Sequence, residues 1–548
     1  MGPNLLSAET GAALEVRVEP ASAGPQLARW SREVRTAAQA LGWGDLQLQA
    51  RQVGAMAYCT CTAPVDQLMT ATDLLEQAWV VAEGGTPLPL DQLQRQSAAE
   101  RNPRLVALQM GARRHGVVFA FDDERASVGS GAGARCWPLD AIPDADEVPW
   151  NEVRDVPLAL VTGSNGKTTT ARLLAAMYRA TGRIVGISGT DGVSIDDDLI
   201  AEGDYSGPTG ARLVLRDARL QAAVLETARG GLLRRGLGVS RADVAVITNV
   251  AADHFGEYGV HDLATLADVK LIVARALDAD GLLVLNADDP MLRAAAARCL
   301  MPICWFSLQP DEPFVLAHLA DGGDACLIRD GELVLHQDGS AIELGSVASL
   351  PIAHRGAATH NIANALAASA AAAALGVPVT CIRTALATFG SHERDNRGRL
   401  DIRRHRGITA ILDYAHNPAG ITALCEVART LPAVRRLLVL GQAGNRDDAA
   451  LADLARAAWT SLAFDRVIVK RMDSLRRGRP EGETEAILLS ALRGLGADER
   501  QLELADSELE AVQRAVAWAA PGDLLVLPVH AERAAVLRWL EEWFVEGE

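Results

Sequence analysis

The stretch Val161-Thr-Gly-Ser-Asn-Gly-Lys-Thr-Thr-Thr170 decides the fold that we predict for this chain. It follows an apolar run at 156–160 and opens a helical pattern at 171–180. In such a strand, turn and helix, the N–H groups of the first helical turn point at a bound anion, and the helix dipole favours negative charge there. A lysine at this place can reach the terminal phosphates of a nucleotide, and the following hydroxyl can ligate Mg²⁺. We therefore predict a phosphate-binding loop formed by Gly163, Asn165, Gly166, Lys167, Thr168 and Thr169.

This loop departs from the general G-x-x-x-x-G-K-[ST] pattern of phosphate-binding loops. That pattern requires a glycine at position 161, where this chain has Val161, and the first glycine comes two residues later as Gly163. A tight turn before a helix, without a ligand, is the alternative interpretation. The Lys-Thr-Thr sequence after Gly166 has no packing purpose in such a turn. The residues therefore favour phosphate binding by a shortened form of the loop.

The composition limits the class of protein. The chain has 548 residues, of which 49% are hydrophobic, and this length predicts about three or four domains with ample core. The formal net charge of −17 argues against a nucleic-acid-binding protein, because phosphate backbones favour basic surfaces. A local basic groove for an acidic substrate remains compatible with this charge.

Cysteine usage and apolar runs predict a cytoplasmic location. The eight cysteines are scattered, without a C-x-x-C pair or the spacing of a metal site, which indicates a reducing compartment. Residues 1–10 lack the charged-then-apolar pattern of a signal peptide. The Ala-rich run at 365–375 is too short and too small-sided to span a bilayer, and we expect a closely packed core helix there. We expect no membrane segment, and both a monomer and a homo-oligomer fit the sequence.

Three regions differ in their hydrophobic pattern. Residues 1–150 alternate short strand-like and helix-like segments and predict a small N-terminal α+β domain, for which substrate binding is one hypothesis. Residues 151–396 contain continuous apolar runs separated by helical segments, which are typical of a parallel sheet covered on both faces. Residues 397–548 repeat this pattern on a smaller scale. The predicted fold class is therefore α/β, with three domains in this order.

Polar residues directly follow several of the apolar runs in the central region. These residues are Glu226, Asn249, Asp253, Asn286 and Asp288. Ligands of open α/β sheets bind at the carboxyl ends of the strands. We therefore expect these side chains to meet the phosphate-binding loop in one crevice.

Four further segments, together with the loop, resemble the Mur ligase family. They are N-x-x-x-D-H at 249–254, H-N-x-x-N at 360–364, G-R at 398–399 and D-Y-A-H-N-P at 413–418. One such motif is weak, but five in family order are specific. The resemblance implies a central P-loop ATPase domain and a C-terminal Rossmann-like α/β domain. It also implies an ATP-dependent ligase that activates a carboxylate as an acyl phosphate and joins it to an amino acid or another amine.

Within the family, five segments resemble the Mur-like half of the cyanophycin synthetases, which is implied to join arginine to aspartyl side chains of a peptide. These segments lie at 203–208 (with 211–212), 225–231, 253–256, 285–290 and 475–480. Cyanophycin synthetases also carry an ATP-grasp domain before this half. Residues 1–150 are too few to hold both that domain and an N-terminal one, so we expect backbone extension by aspartate to be absent.

The resemblance implies roles for the catalytic residues. Lys167 would contact the transferred phosphate, Thr168 and Glu226 would hold one Mg²⁺, and His254 would bind a second. The oxygen ligands of Thr168 and Glu226 suit Mg²⁺, which is a hard cation. Lys270 stands where the family has a carbamylated lysine. The alternatives are a surface carboxylate at 226, a core histidine at 254 and a solvated helix lysine at 270.

The resemblance also places ATP between two domains. Asn361 and Asn364 lie on one helical face and are implied to contact adenine, with helix capping as the alternative. Arg399 and Asp413 would lie on the ribose and phosphate side. Because they belong to the third domain, domain closure would assemble the site and exclude water from the acyl phosphate.

Cationic side chains are candidates to bind the acid substrate, since arginine offers a two-pronged fork for carboxylates. Each of the arginines could equally lie on the surface. The candidates are Arg212, Arg229, His416, Arg446 and Arg479.

Three functions remain open at this point. The first is an amide ligase for an aspartyl or other cyanophycin-like substrate, and the second is a ligase for a different acid, such as a folate or a cell-wall precursor. The third is a nucleotide-binding regulatory protein without catalysis. Amide synthesis needs a better leaving group than hydroxide, and an anion cradle with Mg²⁺ can supply it through phosphoryl transfer. The intact set Lys167, Thr168, Glu226, His254 and Lys270 argues against the third function.

Overall fold

The computed structural model describes residues 2–7, 9–253, 255–256, 259–309, 311–392 and 394–545. It begins with an antiparallel three-stranded sheet and three helices. The elements are β1 (Gly11–Arg17), α1 (Ala23–Ala40), β2 (Leu48–Val53), β3 (Met56–Thr62), α2 (Leu68–Ala82) and α3 (Leu90–Glu100). The strand order is β1-β3-β2, and α1 and α2 cover one face around the buried Trp30 and Leu74.

A second small sheet follows. Its elements are α4 (Pro103–His115), β4 (Phe119–Phe121), β5 (Arg125–Val128) and β6 (Arg135–Pro138). The three strands pair in chain order and are antiparallel. Both sheets lie within the region predicted to be α+β.

The central region forms an eleven-stranded sheet in the order β10-β9-β8-β11-β7-β12-β13-β14-β15-β16-β17. Its strands are β7 (Leu158–Thr162), β8 (Val185–Gly189), β9 (Gly192–Ile195), β10 (Asp198–Ala201), β11 (Ala222–Glu226), β12 (Ala242–Ile247), β13 (Leu277–Asn286), β14 (Ile303–Ser307), β15 (Asp324–Arg329), β16 (Glu332–Gln337) and β17 (Ser340–Ser346). Its helices are α5 (Lys167–Arg179), α6 (Pro208–Leu215), α7 (Arg229–Arg235), α8 (Leu263–Lys270), α9 (Pro290–Ala296), α10 (Pro313–Ala320), α11 (Thr359–Ala374) and α12 (Val379–Thr388).

The middle of this sheet, from β8 to β15, is parallel, as the continuous apolar runs predicted. The edges differ from the prediction, because β9 and β10 at one edge and β16 and β17 at the other pair as antiparallel hairpins. The outermost strands β10 and β17 are partly exposed and lack the continuous apolar run that marks a buried parallel strand.

The Ala-rich run forms most of α11, which packs on α5 and on the central sheet. Ala365, Ala367, Ala368 and Ala371 have no exposed surface. Small side chains let this helix approach its neighbours closely, since the distance between packed helices depends on the residues at the contact. The prediction of a closely packed core helix is confirmed.

The C-terminal region forms a six-stranded sheet in the order β18-β19-β23-β20-β21-β22, with helices on both faces. Its elements are β18 (Asp401–His405), β19 (Ile408–Asp413), α13 (Pro418–Thr430), β20 (Arg436–Leu440), α14 (Asp448–Ser461), β21 (Arg466–Lys470), α15 (Glu483–Gly494), β22 (Leu502–Ala505), α16 (Glu508–Trp518), β23 (Leu524–Pro528) and α17 (Arg533–Val545). Only the β18–β19 pair is antiparallel. The α/β fold class is thus confirmed. Among the helices described here, none is both long and apolar enough to cross a membrane.

Candidate active site

The loop at 163–166 connects the buried strand β7 to α5, and two of its residues must be glycine. Gly163 and Gly166 have φ angles of +151° and +84°. A Cβ atom on Gly163 would lie 1.8 Å from Thr248 Oγ1, and one on Gly166 would lie 2.2 Å from Asn364 Oδ1. The neighbouring side chains therefore fix a glycine-lined turn at the start of α5, as the sequence predicted.

Asparagine side chains from the central and C-terminal regions hold Asn165 of this loop. Asn249 Oδ1 accepts from the N–H of Asn165 at 2.9 Å, and Asn249 Nδ2 donates to the Asn165 carbonyl at 3.1 Å. Asn417 Nδ2, at the start of α13, donates to Asn165 Oδ1 at 3.0 Å. The loop is thus shaped before any ligand binds, and the C-terminal region contributes to its shape.

Lys167 and Thr168 begin α5 and face the cavity beside the loop. Lys167 Nζ lies over the loop and donates to the carbonyls of Gly163 and Ser164, each at 3.1 Å. Thr168 Oγ1 donates to Glu226 Oε2 at 2.9 Å. Lysine, hydroxyl and carboxylate therefore lie together at the helix N-terminus, where the helix dipole favours an anion.

Glu226 ends β11 with only 2% of its surface exposed. Burial raises the pKa of its carboxyl, and the charges of Lys167 and Arg399 oppose this shift. Within the described residues, Glu226 Oε1 has no hydrogen-bond partner. A buried carboxylate oxygen without a partner, next to a threonine hydroxyl, is a suitable donor set for a hard cation such as Mg²⁺.

The wider surroundings also fit Mg²⁺ better than a metal held by many side chains. No group of three or more His, Cys, Asp and Glu side chains suited to a metal occurs in the part of the chain that the structure describes. Mg²⁺ usually keeps several waters and takes one or two carboxylates plus substrate phosphates. His254, predicted as a ligand of a second Mg²⁺, lies outside the described residues.

Lys270 ends α8 and lines the cavity although only 2% of its surface is exposed. Burial lowers the pKa of its amine well below the usual range, and the nearby Lys167 lowers it further, against the opposing charge of Asp253. This environment favours a neutral amine. Lys270 is therefore buried, and the alternative interpretation of a solvated helix lysine is wrong.

Asp253 joins the central and C-terminal regions across the cavity. Arg446 Nη2 donates to Asp253 Oδ1 at 2.8 Å, and His416 Nε2 lies 3.2 Å from Asp253 Oδ2. Arg479 does not line the cavity, but it donates to the carbonyls of Gly444 at 2.9 Å and Arg446 at 2.5 Å. Arg446 and His416 thus lie in the predicted site, whereas Arg479 holds the loop that carries Arg446.

Asn361 and Asn364 lie near the start of α11 and line the cavity. Asn364 Nδ2 donates to Asn361 Oδ1 at 3.1 Å, and Asn361 Nδ2 donates to the Ile352 carbonyl at 3.0 Å. Asn364 Oδ1 also accepts from Thr170 Oγ1 at 3.3 Å. Both amides therefore fix α11 to its surroundings, and the contact with adenine stays a prediction.

Arg399 and Asp413 bring the C-terminal region to the same cavity. Asp413 accepts from the N–H groups of Leu400 and Ala415, each at 2.7 Å. Arg399 lies 4.3 Å above the ring of Tyr414, in a cation–π contact, and donates to Thr190 Oγ1 at 3.1 Å. Its Nε has no partner among the residues described. This guanidinium can still bind an anion in the cavity.

The cavity has a volume of about 1090 Å³ and lies between the central and C-terminal regions. Its wall includes three arginines of α7, namely Arg229, Arg234 and Arg235. The predicted site residues that line it are Gly163, Asn165, Gly166, Lys167, Thr168, Thr169, Glu226, Arg229, Lys270, Asn361, Asn364, Arg399, Asp413, His416 and Arg446.

Arg212 lies elsewhere. Its guanidinium is 3.4 Å from Asp122 in the N-terminal region, and it is not among the described residues that line the cavity.

Three residues that contact the site were not predicted from the sequence, namely Thr190, Asn396 and His530. Thr190 contacts Thr168 and Arg399, and Asn396 contacts Thr169. These residues belong to none of the motifs, so no local signal marked them.

Two family models match this chain. The Mur ligase middle domain matches residues 161–372, and the Mur ligase glutamate ligase domain matches residues 398–528. A UDP-N-acetylmuramoyl-L-alanyl-D-glutamate–2,6-diaminopimelate ligase of Chlorobaculum tepidum is 30% identical over 434 residues, which are 72% of this chain and 80% of that protein. The chain therefore belongs to the Mur ligase family.

Among its relatives are cyanophycin synthetases. The protein of that name from Trichormus variabilis is 38% identical over 383 residues, which are 70% of this chain but only 42% of that protein. The chain is thus similar to less than half of the length of that relative. A solved structure of E. coli FolC in complex with DHPP and ADP has a TM-score of 0.51 at 20% identity, with 71% of this chain and 89% of that chain covered. That likeness shows the fold.

Proposed function

We propose that this protein is an ATP-dependent ligase that activates a substrate carboxylate as an acyl phosphate and joins it to an amino acid or another amine. The observation that carries the proposal is the contact of Thr168 with the buried Glu226, beside Lys167 at the start of α5. The unpartnered oxygen of this buried carboxylate suits a Mg²⁺ ion bound together with ATP. Membership of a family whose named relatives are ligases and synthetases supports the same conclusion.

The phosphate loop and its neighbours would bind ATP. The N–H groups at the start of α5 and the amine of Lys167 face the place where the terminal phosphates would lie. Thr168 and Glu226 would hold Mg²⁺, and when bound this ion would neutralise negative charge on the phosphates. Arg399 would add a cation from the C-terminal region. This arrangement supplies the positioning and charge neutralisation that phosphoryl transfer requires.

The acid substrate would bind at the arginine-lined wall. Arg229 is 92% buried at the start of α7, and Arg234 and Arg235 lie one helical turn further on. A guanidinium pairs with a carboxylate through two parallel hydrogen bonds. Three arginines on one wall form a local basic surface in a protein with a net charge of −17. This wall supports an acid substrate that carries at least one carboxylate besides the reacting one.

The position of the cavity between two regions suits a labile intermediate. The contacts of Asp253 with Arg446 and His416 join the two walls and would limit the entry of water. Exclusion of water protects a reactive acyl group from hydrolysis until the amine attacks. In that step the amine nitrogen bonds to the acyl carbon, phosphate leaves with the electron pair of the broken C–O bond, and the amine loses a proton.

We assign the substrates to aspartyl and arginyl peptides of the cyanophycin type. The relatives with 38% identity bear the name cyanophycin synthetase, and those named diaminopimelate ligases reach 30%.

We also propose that Lys270 carries a carbamate, because its buried environment favours the neutral amine that reacts with carbon dioxide. Residues 1–150, outside both family models, are proposed as a separate domain, with domain boundaries near 150 and 396.

The test is an ATP-consumption screen of the full-length protein. Short Asp-containing and Asp-Arg peptides, a folate with glutamate, and a cell-wall precursor peptide would each be supplied with free amino acids, and phosphate release and product mass would be measured. We expect release with the aspartyl and arginyl peptides, a mass gain equal to the amino acid less water, and loss of both with Lys167→Ala. The proposal would be overturned if none of the tested acid and amine pairs stimulated phosphate release. Activity that survives Lys167→Ala in a folded protein would overturn it as well.

A further inference from the structure

Asp191 lies in the turn between β8 and β9 and gathers three guanidinium groups. Arg172 of α5 donates to its Oδ2 at 2.7 Å. Arg533, the first residue of α17, donates to its Oδ1, and Arg399 Nη2 lies 3.5 Å from the same oxygen. One of these arginines belongs to the central region and two to the C-terminal region. A single carboxylate therefore connects the helix of the phosphate loop with both ends of the C-terminal region.

The cluster is shielded from solvent. The side chains of Asp191, Arg172, Arg533 and Arg399 are exposed by only 21%, 19%, 17% and 14%. Burial by itself would raise the pKa of Asp191, but the three guanidiniums outweigh it and lower the pKa to about 2. The carboxylate is therefore charged at neutral pH. Ion pairs with this little solvent contact are weakly screened by salt.

The cluster holds three guanidinium groups around one carboxylate. The carboxylates of Glu226 and Asp413 also attract Arg399. Arg172 and Arg533 both also donate to the carbonyl of Arg397, at 3.4 and 2.6 Å. Arg399 lines the described cavity, whereas Arg172 and Arg533 do not. Its Nε has no hydrogen-bond partner among the described residues. Arg399 is thus the arginine of this cluster that reaches the cavity.

The backbone next to Arg399 is shaped around Arg533. Gly398 has a φ angle of +68°, and a Cβ atom there would lie 2.8 Å from Arg533 Nη2. Glycine at this position therefore leaves room for the guanidinium that reaches Asp191. The Gly-Arg motif at the start of the C-terminal region is thereby connected with Arg533, which belongs to no motif.

We propose that Asp191 is a positioning residue that joins the central and C-terminal regions through Arg533 and holds Arg399 in place for the phosphates of a nucleotide. The identity of the nucleotide rests on the proposed function. Asp191 does not line the described cavity, so it acts through Arg399. Without the carboxylate, Arg399 would retain Thr190 and the ring of Tyr414, and the neighbouring Arg172 and Arg533 would repel it.

The test is direct nucleotide binding by the full-length protein, measured by calorimetry with Mg²⁺ and a non-hydrolysable ATP analogue. We expect Asp191→Asn to raise Kd by about tenfold to a hundredfold, the range for loss of one charged hydrogen bond. Asp196→Asn is the matched control, because Asp196 pairs with Arg179 at 2.8 Å at the far end of the same helix. We expect its Kd to equal that of the unsubstituted protein.

Two further variants separate positioning from general damage to the fold. Arg533→Gln removes one of the two C-terminal partners of Asp191 and leaves the carboxylate with Arg172 and Arg399, so it should raise Kd by a smaller factor. In the Arg399→Gln background, Asp191→Asn should change Kd less than twofold, because the residue that it positions is gone.

The proposal would be overturned if the folded Asp191→Asn and Arg533→Gln proteins both kept the Kd of the unsubstituted protein. It would also be overturned if Asp191→Asn raised Kd by the same factor with and without Arg399→Gln. Nucleotide binding without ligation of any acid would instead contradict the proposed function and leave the role of Asp191 intact. Absence of nucleotide binding by the unsubstituted protein would overturn both.

Discussion

Thr168 donates a hydrogen bond of 2.9 Å to Glu226, a residue 58 positions further along the chain. This contact joins the first turn of α5 to the carboxyl end of β11, which is paired with β8 and β7 in the parallel part of the sheet. It brings a hydroxyl and a buried carboxylate to the same end of the phosphate loop.

Gly166→Ala should abolish nucleotide binding. The added Cβ would lie 2.2 Å from Asn364 Oδ1, so either the loop or α11 must move. Gly182→Ala is the matched control, because its φ of +81° is nearly that of Gly166 at +84°, yet no atom lies within 4 Å of its added Cβ. The control should cost about 1–2 kcal/mol of backbone strain and keep its affinity. Calorimetric Kd values for both variants decide this, and equal losses of affinity would contradict the steric argument.

Glu226→Gln should make the ligand-free protein more stable at neutral pH. Burial raises the pKa of this carboxyl in the folded state, so the folded protein binds more protons than the unfolded chain and loses stability as pH rises above the ordinary range of a glutamate. The glutamine removes that loss. Thermal unfolding from acidic to neutral pH should show a flatter pH dependence for the variant.

Mg²⁺ and ATP should stabilise the Glu226→Gln protein much less against unfolding than they stabilise the unsubstituted protein. For the unsubstituted protein, ligand at one hundred times Kd should add about 2.7 kcal/mol to the free energy of unfolding. A Glu226→Gln protein that gains equally from Mg²⁺ and ATP would show that this carboxylate does not hold the metal.

In protein freed of carbon dioxide, so that Lys270 is a free amine, Lys270→Met should remove a pH-dependent part of the stability. Burial lowers the pKa of Lys270 well below its usual value, so the unfolded chain binds more protons than the folded protein, and stability rises with pH until the unfolded lysine titrates. The methionine variant should lack this rise in denaturation experiments. An identical slope in both proteins would contradict the lowered pKa.

Carbamylation of Lys270 has a separate readout. With carbon-13 bicarbonate, the unsubstituted protein should give a carbamate carbon resonance that Lys270→Met lacks. Removal of carbon dioxide should lower the activity of the unsubstituted protein reversibly. The same resonance in both proteins would place the carbamate elsewhere.

Lys470 and Glu508 form an ion pair in the C-terminal region with 0% exposure of either side chain. Lys470 Nζ also donates to the Pro528 carbonyl at 2.6 Å and lies 3.1 Å from His530 Nδ1. Removal of one partner leaves a buried charge without compensation, so Glu508→Gln or Lys470→Met should cost about 3–5 kcal/mol.

The double variant Lys470→Met/Glu508→Gln should recover much of that loss, because both buried charges are gone. Denaturant unfolding of the four proteins gives the coupling energy. A double variant whose loss equals the sum of the two single losses would show that the pair is not coupled.

Local sequence patterns predicted the parallel part of the central sheet and the phosphate loop. The apolar runs that became β7, β11 and β12 are fully or almost fully buried, and a parallel strand covered on both faces has a near-continuous apolar run. Glu226 was placed correctly at a strand end, because it is the first polar residue after the apolar run of β11. The edge hairpins escaped prediction because β10 is mostly exposed and carries no such run.

The substrate arginines were harder to assign. Arg229 and Arg446 line the cavity, whereas Arg212 contacts Asp122 and Arg479 supports a loop. An arginine has the same chemistry in a pocket and on a surface, so the residue type alone does not separate these cases. Burial and partners, which depend on the tertiary structure, separate them.

The sequence by itself determined the strand-loop-helix unit, the polar residues at the strand ends and the family motifs, because each rests on residues close together in the chain. Only the tertiary structure decided which distant residues meet. Asp191 and Arg533 are 342 positions apart, and Asp253 and Arg446 are 193 positions apart. An ion pair across such a separation leaves no periodic pattern in the sequence, because it depends on how the central and C-terminal regions pack.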